Sequence, residues 1–230
     1  MLKYGDESLN SIDKILDLFF PPVCGICGKI DKNSLCEECN KKINEIKICQ
    51  IEKLSDKNIF YKKFAYMFKY DGIIRDKILD YKFNDRSYLY KTFEKIILDD
   101  IKICDFIKTY DMIVPVPIHN KRKLERGYNQ SELIIKNVIK ELSKDSNIFF
   151  DNTSLIKIKN ILKQSSLNKE ERAKNIEGAY TLTEHAFEKF KNKKVLLFDD
   201  ILTTGSTVNE CSKIIEMAKP HKIGVFTLAK

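Results

Sequence analysis

Two adjacent carboxylates, Asp199 and Asp200, close the apolar run Val195-Leu-Leu-Phe198. After Ile201 and Leu202 they are followed by Thr203-Thr204-Gly205-Ser206-Thr207. The run has the composition of a buried strand. The hydroxyls and backbone N–H groups of residues 203–207 can wrap a phosphate monoester, and a helix opening at Ser206 adds the partial positive charge of its N-terminus. Gly205 lets the backbone come close to such a ligand. An ionised carboxylate pair accepts hydrogen bonds from a ribose diol. In open α/β sheets ligands sit beyond the carboxyl ends of strands, which is where this run places its polar groups. Each piece alone also fits a capped helix start after a core strand. The ordered run of strand, acid pair and hydroxyl-rich turn points to a phosphorylated ribose.

A second chemically loaded segment follows Val114-Pro-Val-Pro117. It reads as a basic loop just beyond a strand end, carrying Lys121, Arg122, Lys123 and Arg126. That position puts Lys121, Arg122 and Arg126 near the sheet edge that holds the acid pair, where they can meet a pyrophosphate or the phosphates of a nucleic-acid strand. Arginine is otherwise scarce: the others are Arg75, Arg86 and Arg172. In a chain that uses lysine by default, arginine marks places where a planar fork matters. His119 reads as incidental to chemistry. No residue stands out as a catalytic acid or base.

Five of the seven cysteines lie between Cys24 and Cys49. Cys24-x2-Cys27-x8-Cys36-x2-Cys39 has the spacing of a four-thiolate zinc site. All four ligands are protein groups, so the zinc is expected to be structural, organising a module too small for its own core. Cys49 is a spare or alternative ligand; Cys104 and Cys211 read as buried thiols.

The elements that must position these groups follow from periodicity. Ser8–Phe19 reads as a short amphipathic helix stopped by Pro21 and Pro22, and residues 64–70 alternate as a strand with an aromatic face. Ile73–Tyr81 and Leu89–Ile101 read as helices. From Tyr110 onward strands and helices alternate: strands at Met112–Val116, Leu155–Ile158, Val195–Phe198 and Ile223–Leu228, and helices at Asn129–Leu142 and Ser206–Ala218, with Asn160–Lys169 a polar loop. This rhythm implies an α/β fold with a parallel sheet flanked by helices. The expected division is a zinc module over residues 1–55 and an α/β domain over 56–230, with 56–109 a connecting or hood region and 110–230 the core. The chain has 230 residues, 43% of them hydrophobic, and a formal net charge of +8. A real core can form, and the positive excess suits a polyanionic partner. Apolar runs are too short for membrane insertion, and the first one follows Asp6 and Glu7 instead of basic residues, against a secretory signal. The expectation is a cytoplasmic protein.

Val195–Thr207 resembles the phosphoribosyl-pyrophosphate signature of type I phosphoribosyltransferases. The resemblance implies that Asp199 and Asp200 contact the ribose hydroxyls, that Thr203, Thr204, Gly205, Ser206 and Thr207 hold the 5′-phosphate, and that Mg²⁺ arrives with the pyrophosphate. The 6-oxopurine members carry an Asp three residues after the acid pair. Thr203 stands there in this chain, which disfavours hypoxanthine or guanine salvage. With the cysteine module in front, nearly the whole chain is similar to the ComF family. Arg126-Gly-Tyr-Asn-Gln130 matches that family's RGxNQ segment; Gln164, Leu167, Arg172 and Asn175 with Gly178-Ala-Tyr180 match its flexible loop, and Tyr70-Asp-Gly72 and Lys82-Phe83 match the region before the core. Many members carry further Cys pairs where only Cys49 remains here, Lys163 replaces a common Pro, and Lys157 sits where Arg is usual. The resemblance implies a role in natural transformation, single-stranded DNA binding and a DNA-uptake helicase as partner. The alternative is an active phosphoribosyltransferase of nucleotide metabolism outside the 6-oxopurine class.

Overall fold

The computed structural model of the chain describes residues 21–161 and 175–230. The helix expected over Ser8–Phe19 lies outside them, as do Gln164, Leu167 and Arg172. The chain divides into two compact units between Ile46 and Lys47. Residues 47–55, grouped by sequence with the cysteine module, run in the second unit. Among the described residues no helix is long and apolar enough to cross a membrane.

Among its described residues, the first unit buries little apolar material besides its cysteines. A bridge between Val23 and Ile30 closes a knuckle over Cys24–Cys27, in which Gly28 takes a positive φ of 75° and donates its N–H to the Cys24 carbonyl at 2.8 Å. Helix α1 (Glu37–Ile46) starts at once after Cys36 and buries Cys39 and Ile43. Glu37 and Glu38 in its first turn complement the helix dipole.

The second unit is a mixed six-stranded sheet with helices on both faces. Its strands are β1 (Gln50–Lys53), β2 (Lys63–Phe68), β3 (Met112–Pro115), β4 (Phe149–Phe150), β7 (Lys194–Ile201) and β8 (Lys222–Ala229). The spatial order is β1-β2-β8-β7-β3-β4, parallel throughout except for the antiparallel pair β1–β2. The remaining strands, β5 (Leu155–Lys157) and β6 (Tyr180–Leu182), form a separate antiparallel ribbon. The strand expected at Leu155–Ile158 therefore exists, but outside the main sheet. The helices are α2 (Gly72–Phe83), α3 (Leu89–Leu98), α4 (Ile101–Lys108), α5 (Asn120–Arg126), α6 (Gln130–Leu142), α7 (Glu184–Phe190) and α8 (Ser206–Glu216).

Several expectations need correcting. The single helix expected over Leu89–Ile101 is two helices, because Asp100 caps α4 by accepting the Ile103 N–H at 2.9 Å. The basic segment after Pro117 is helix α5, not a loop. His119 caps that helix, its Nδ1 accepting the Lys121 N–H at 3.2 Å, and Gly127 ends it in the left-handed region. The strand before the acid pair is longer than expected, so Asp199 and Asp200 belong to β7 itself and take its rigidity.

Burial follows the strand period. Val195 and Leu197 join Met112, Val114, Ile223 and Val225 in one core with Val208, Cys211 and Ile215 of α8. On the other face Phe198 meets Phe226 with ring centroids 5.3 Å apart. The Tyr110 ring lies against β8 at Gly224, where any Cβ would overlap its hydroxyl and Cζ, so only glycine fits. The chain leaves β3 towards β4 on one side and β7 towards β8 on the other. The crevice between the ends of β3 and β7 is thus a topological switch point, the place where such sheets bind ligands.

Candidate functional site

A cavity of about 400 Å³ opens in that crevice. Four structural pieces build most of it, and the β5–β6 ribbon adds Lys157 and Tyr180. The end of β7 brings Asp199 and Asp200, and the following turn brings Thr203, Thr204, Ser206 and Thr207. The end of β3 and α5 bring Pro117, Arg122 and Arg126. The start of α6 brings Asn129, Gln130 and Ser131, and α2 brings Lys82 and Phe83. Gly205 supplies the left-handed residue, φ 76°, between the turn and α8, and no side chain caps that helix. The Thr204 and Ser206 hydroxyls lie 3.0 Å apart. The Ser206 N–H makes a long hydrogen bond to Thr204 Oγ1 at 3.4 Å, and the N–H groups that follow it in the first turn of α8 are left for an anion. Asn209 fastens the base of the turn, accepting the Phe60 N–H at 3.0 Å and donating to the Asn58 carbonyl at 3.0 Å.

The acid pair is already engaged. Lys82 Nζ lies 2.7 Å from each oxygen of Asp200, with both side chains largely buried. Asp199 Oδ1 accepts from the Ser131 hydroxyl at 3.0 Å and from the Asp200 N–H at 2.9 Å. Burial, and next the Asp200 carboxylate, push the Asp199 carboxyl up to about 7. The sign of the linkage is definite. An acid raised in the folded state contributes stability below its ordinary range and loses it as pH rises from about 4 to about 7. Asp199→Asn keeps an oxygen for Ser131 and removes the ionisation. It is expected to match the wild type near pH 4 and to be the more stable of the two at pH 8 in urea unfolding; a difference independent of pH would contradict this.

Of the basic residues picked from sequence, Arg122 and Arg126 line the cavity, whereas Lys121 is exposed and does not. Arg126 lies 5.0 Å from the Phe83 ring centroid and donates to Gln130 Oε1 at 3.1 Å. Burial, then Arg122, lowers its pKa. Lys123 pairs instead with Glu132 at 3.3 Å. Lys157, at the end of β5, sits 5.1 Å over the Tyr180 ring, its pKa lowered chiefly by burial. Lys82, Arg122, Arg126 and Lys157 thus face two carboxylates in one cavity. That excess of positive charge suits a ligand with several negative charges. The placement of Lys82, Ser131, Asn129, Gln130 and Lys157 was not derivable from spacing. Their contacts cross 118 residues for Lys82–Asp200 and 68 for Ser131–Asp199. Only the RGxNQ and Lys82-Phe83 matches, and Lys157 standing where Arg is usual, hinted at them. Thr203 offers no carboxylate at its position.

The four cysteine sulfurs at 24, 27, 36 and 39 lie within 4.8 Å of one another. A tetrahedron with Zn–S bonds of about 2.3 Å needs edges of about 3.8 Å, and Cys27 and Cys36 lie 3.9 Å apart. The Cys36 N–H donates to Cys24 Sγ at 3.4 Å, the kind of outer contact that orients a thiolate ligand. Burial raises the Cys24 thiol, but N–H groups of Cys36, Cys27 and Ile26 outweigh it and draw the pKa down to about 7. The residues fit a structural zinc. Cys49 is not one of them: its thiol donates to Asp100 Oδ2 at 3.0 Å in the second unit.

The chain matches two family models, the Phosphoribosyl transferase domain over residues 132–230 and the Double zinc ribbon domain over residues 15–51. Competence protein F of Haemophilus influenzae is 27% identical over 216 residues, covering 87% of this chain and 92% of that protein. Competence protein ComFC of Streptococcus pneumoniae is 26% identical over 236 residues, covering 100% of this chain and 91% of that protein. DNA utilization protein YhgH of Escherichia coli K12 is 22% identical over 198 residues, covering 84% of this chain and 83% of that protein.

Proposed function

The chain belongs to the ComF family of proteins with a phosphoribosyltransferase domain, and from that premise we propose that it binds phosphoribosyl pyrophosphate and acts with single-stranded DNA in DNA uptake. The observation that carries the ligand is the cavity at the switch point, where an acid pair on β7 faces the uncapped start of α8 among four cationic side chains. In this proposal the 5′-phosphate lies on the N–H groups and hydroxyls of residues 203–207. The ribose diol donates to Asp199 and Asp200. Arg122 and Arg126 meet the pyrophosphate, with Lys121 beside them on α5; Gln164 and Arg172, which match the family's flexible-loop pattern, are proposed as further contacts to the ligand and lie outside the described residues. Mg²⁺ bound with the ligand would supply further charge compensation at the pyrophosphate. Lys82 must give up part of Asp200 as the diol arrives, so its ammonium stays beside the ligand.

The DNA role rests on the relatives, which are named for competence and DNA utilization, and on the net charge of +8. Exposed Lys121 on α5 beside Arg122 offers a phosphate-contacting strip that continues from the cavity rim. The proposed setting is the cytoplasm, next to a DNA-uptake helicase. Single-stranded DNA binding is expected to weaken linearly on a log–log plot against salt, and Lys121→Ala with Arg122→Ala should reduce that slope by about 1 to 2. Fluorescence anisotropy at two or more salt concentrations measures it; binding that ignores salt or is absent would remove the DNA part.

A second reading, favoured by the intact acid pair and turn, is an active phosphoribosyltransferase outside the 6-oxopurine class. A nucleophile would form a bond to C1 of the ribose as the C1–O bond to pyrophosphate breaks. The residues named above would hold the sugar and stabilise the departing charge. Pyrophosphate release assayed with nucleobases and amines, with and without single-stranded DNA, separates the readings: no release in any combination leaves a binding protein.

A further inference from the structure

Two side chains in the cavity have polar atoms that nothing among the described residues satisfies. Asn129 and Gln130 are only 5% and 3% exposed, yet Asn129 Oδ1 and Gln130 Nε2 have no hydrogen-bond partner. Buried polar atoms of this kind are rare in native proteins and each asks for an explanation. Their orientations are not arbitrary. Asn129 must turn its Nδ2 to the Val116 carbonyl, 3.0 Å away, and Gln130 must turn its Oε1 to the Arg126 guanidinium, 3.1 Å away. Both alternatives would set donor against donor or acceptor against acceptor. What remains is one free acceptor and one free donor on consecutive residues, at the start of α6.

The neighbouring groups define what the pair can read. Ser131, the next residue, holds Asp199 Oδ1, and Lys82 engages both oxygens of Asp200. Part of the carboxylates' accepting capacity is therefore already used, and the cations nearby supply donors only. A pyrophosphate, with acceptors alone, would satisfy Gln130 but leave Asn129 Oδ1 unmet. A hydroxyl both donates and accepts, so it can give its proton to Asn129 or to a carboxylate while taking a hydrogen bond from Gln130 Nε2.

We infer that Asn129 and Gln130 form a hydroxyl reader that makes this site select ribose phosphates over 2-deoxyribose phosphates. The inference rests on the phosphoribosyl reading given above. It adds a residue pair and a selectivity to that reading. A sugar lacking one hydroxyl leaves the buried donor or acceptor unmet in the complex as well, and sites built around a substrate hydroxyl reject such analogues strongly. The arrangement also suits a protein that handles DNA, since fragments of deoxyribose phosphate would be excluded from the ligand cavity.

The test is calorimetric titration of the full chain with ribose 5-phosphate and with 2-deoxyribose 5-phosphate. Wild type should favour ribose by at least about tenfold, the weight of one buried hydrogen bond. Gln130→Met removes the donor at similar volume. It also frees Arg126, which changes both affinities alike, so the ratio is the readout. Gln130→Glu keeps a partner for Arg126 and replaces the donor by an acceptor. In both variants the ribose preference should fall by about fivefold or more. Variants that melt like the wild type and keep its preference would overturn the reader, as would a wild type that binds both sugars equally. If wild type binds phosphoribosyl pyrophosphate but neither sugar phosphate, the hydroxyl reader is overturned while the phosphoribosyl reading stands; if it binds none of the three, both fall.

Discussion

Replacing Asp199 and Asp200 together by alanine is expected to abolish phosphoribosyl-pyrophosphate binding, with a loss of at least about a hundredfold. Each ribose hydroxyl would lose a charged acceptor, worth about 1.5–3 kcal/mol, and two such losses multiply to that factor or more. The double variant carries a side effect that the structure makes explicit. Lys82 would keep its ammonium in a largely buried position, 13% exposed, without the Asp200 carboxylate it now contacts at 2.7 Å. Breaking one partner of such a pair costs about 3–5 kcal/mol, so weak binding could reflect a damaged fold. Adding Lys82→Met removes the stranded charge while keeping the packing. The triple variant should recover most of the wild-type melting temperature and still fail to bind. If it melts normally and binds phosphoribosyl pyrophosphate with unchanged affinity, the acid pair has no part in the site.

The second large effect concerns the metal. Cys24→Ser with Cys36→Ser removes one ligand from each Cys pair, and with it a zinc whose binding is worth about 10–16 kcal/mol in small four-ligand modules. Among its described residues, the first unit buries few apolar side chains besides its cysteines, Ile26, Leu35 and Ile43 among them, so the metal is expected to carry much of its stability. Metal analysis should show zinc falling from about one per chain to a small fraction, and limited proteolysis should cut within residues 21–46. The second unit has its own sheet and core and should stay folded, with its melting transition retained. Full zinc retention would remove Cys24 and Cys36 from the ligand set.

How much of this was legible in the sequence differs from residue to residue. Strand β7 and the turn after it were legible because a continuous apolar run, an acid pair and a Gly–Ser–Thr helix start are all local signals. The zinc ligands were legible for the same reason, since their spacing is itself the geometry. Helix α5 was not: Asn120–Arg126 has no apolar face, and only the His119 cap and Gly127 mark its ends. The break between α3 and α4 had a visible cause in Asp100, whose capping role was hidden inside an apolar stretch. Strands β4 and β6 are two and three residues long, too short to show a period. The contacts that complete the cavity, Lys82 with Asp200 and Ser131 with Asp199, join segments far apart in the chain. No local pattern encodes them, and only the folded sheet brings them together. Cys49 shows the opposite limit. Its nearness in sequence to the other cysteines suggested a ligand, but it faces Asp100 in the second unit.

The binding proposal for the switch-point cavity stands or falls on one comparison, a calorimetric titration of the intact chain with phosphoribosyl pyrophosphate and, separately, with pyrophosphate alone, both with Mg²⁺. Saturable one-to-one binding of phosphoribosyl pyrophosphate, at least about tenfold tighter than pyrophosphate, is the expected result, because only the sugar phosphate reaches both the acid pair and the start of α8. Equal affinity for the two, or no binding of phosphoribosyl pyrophosphate, would contradict it.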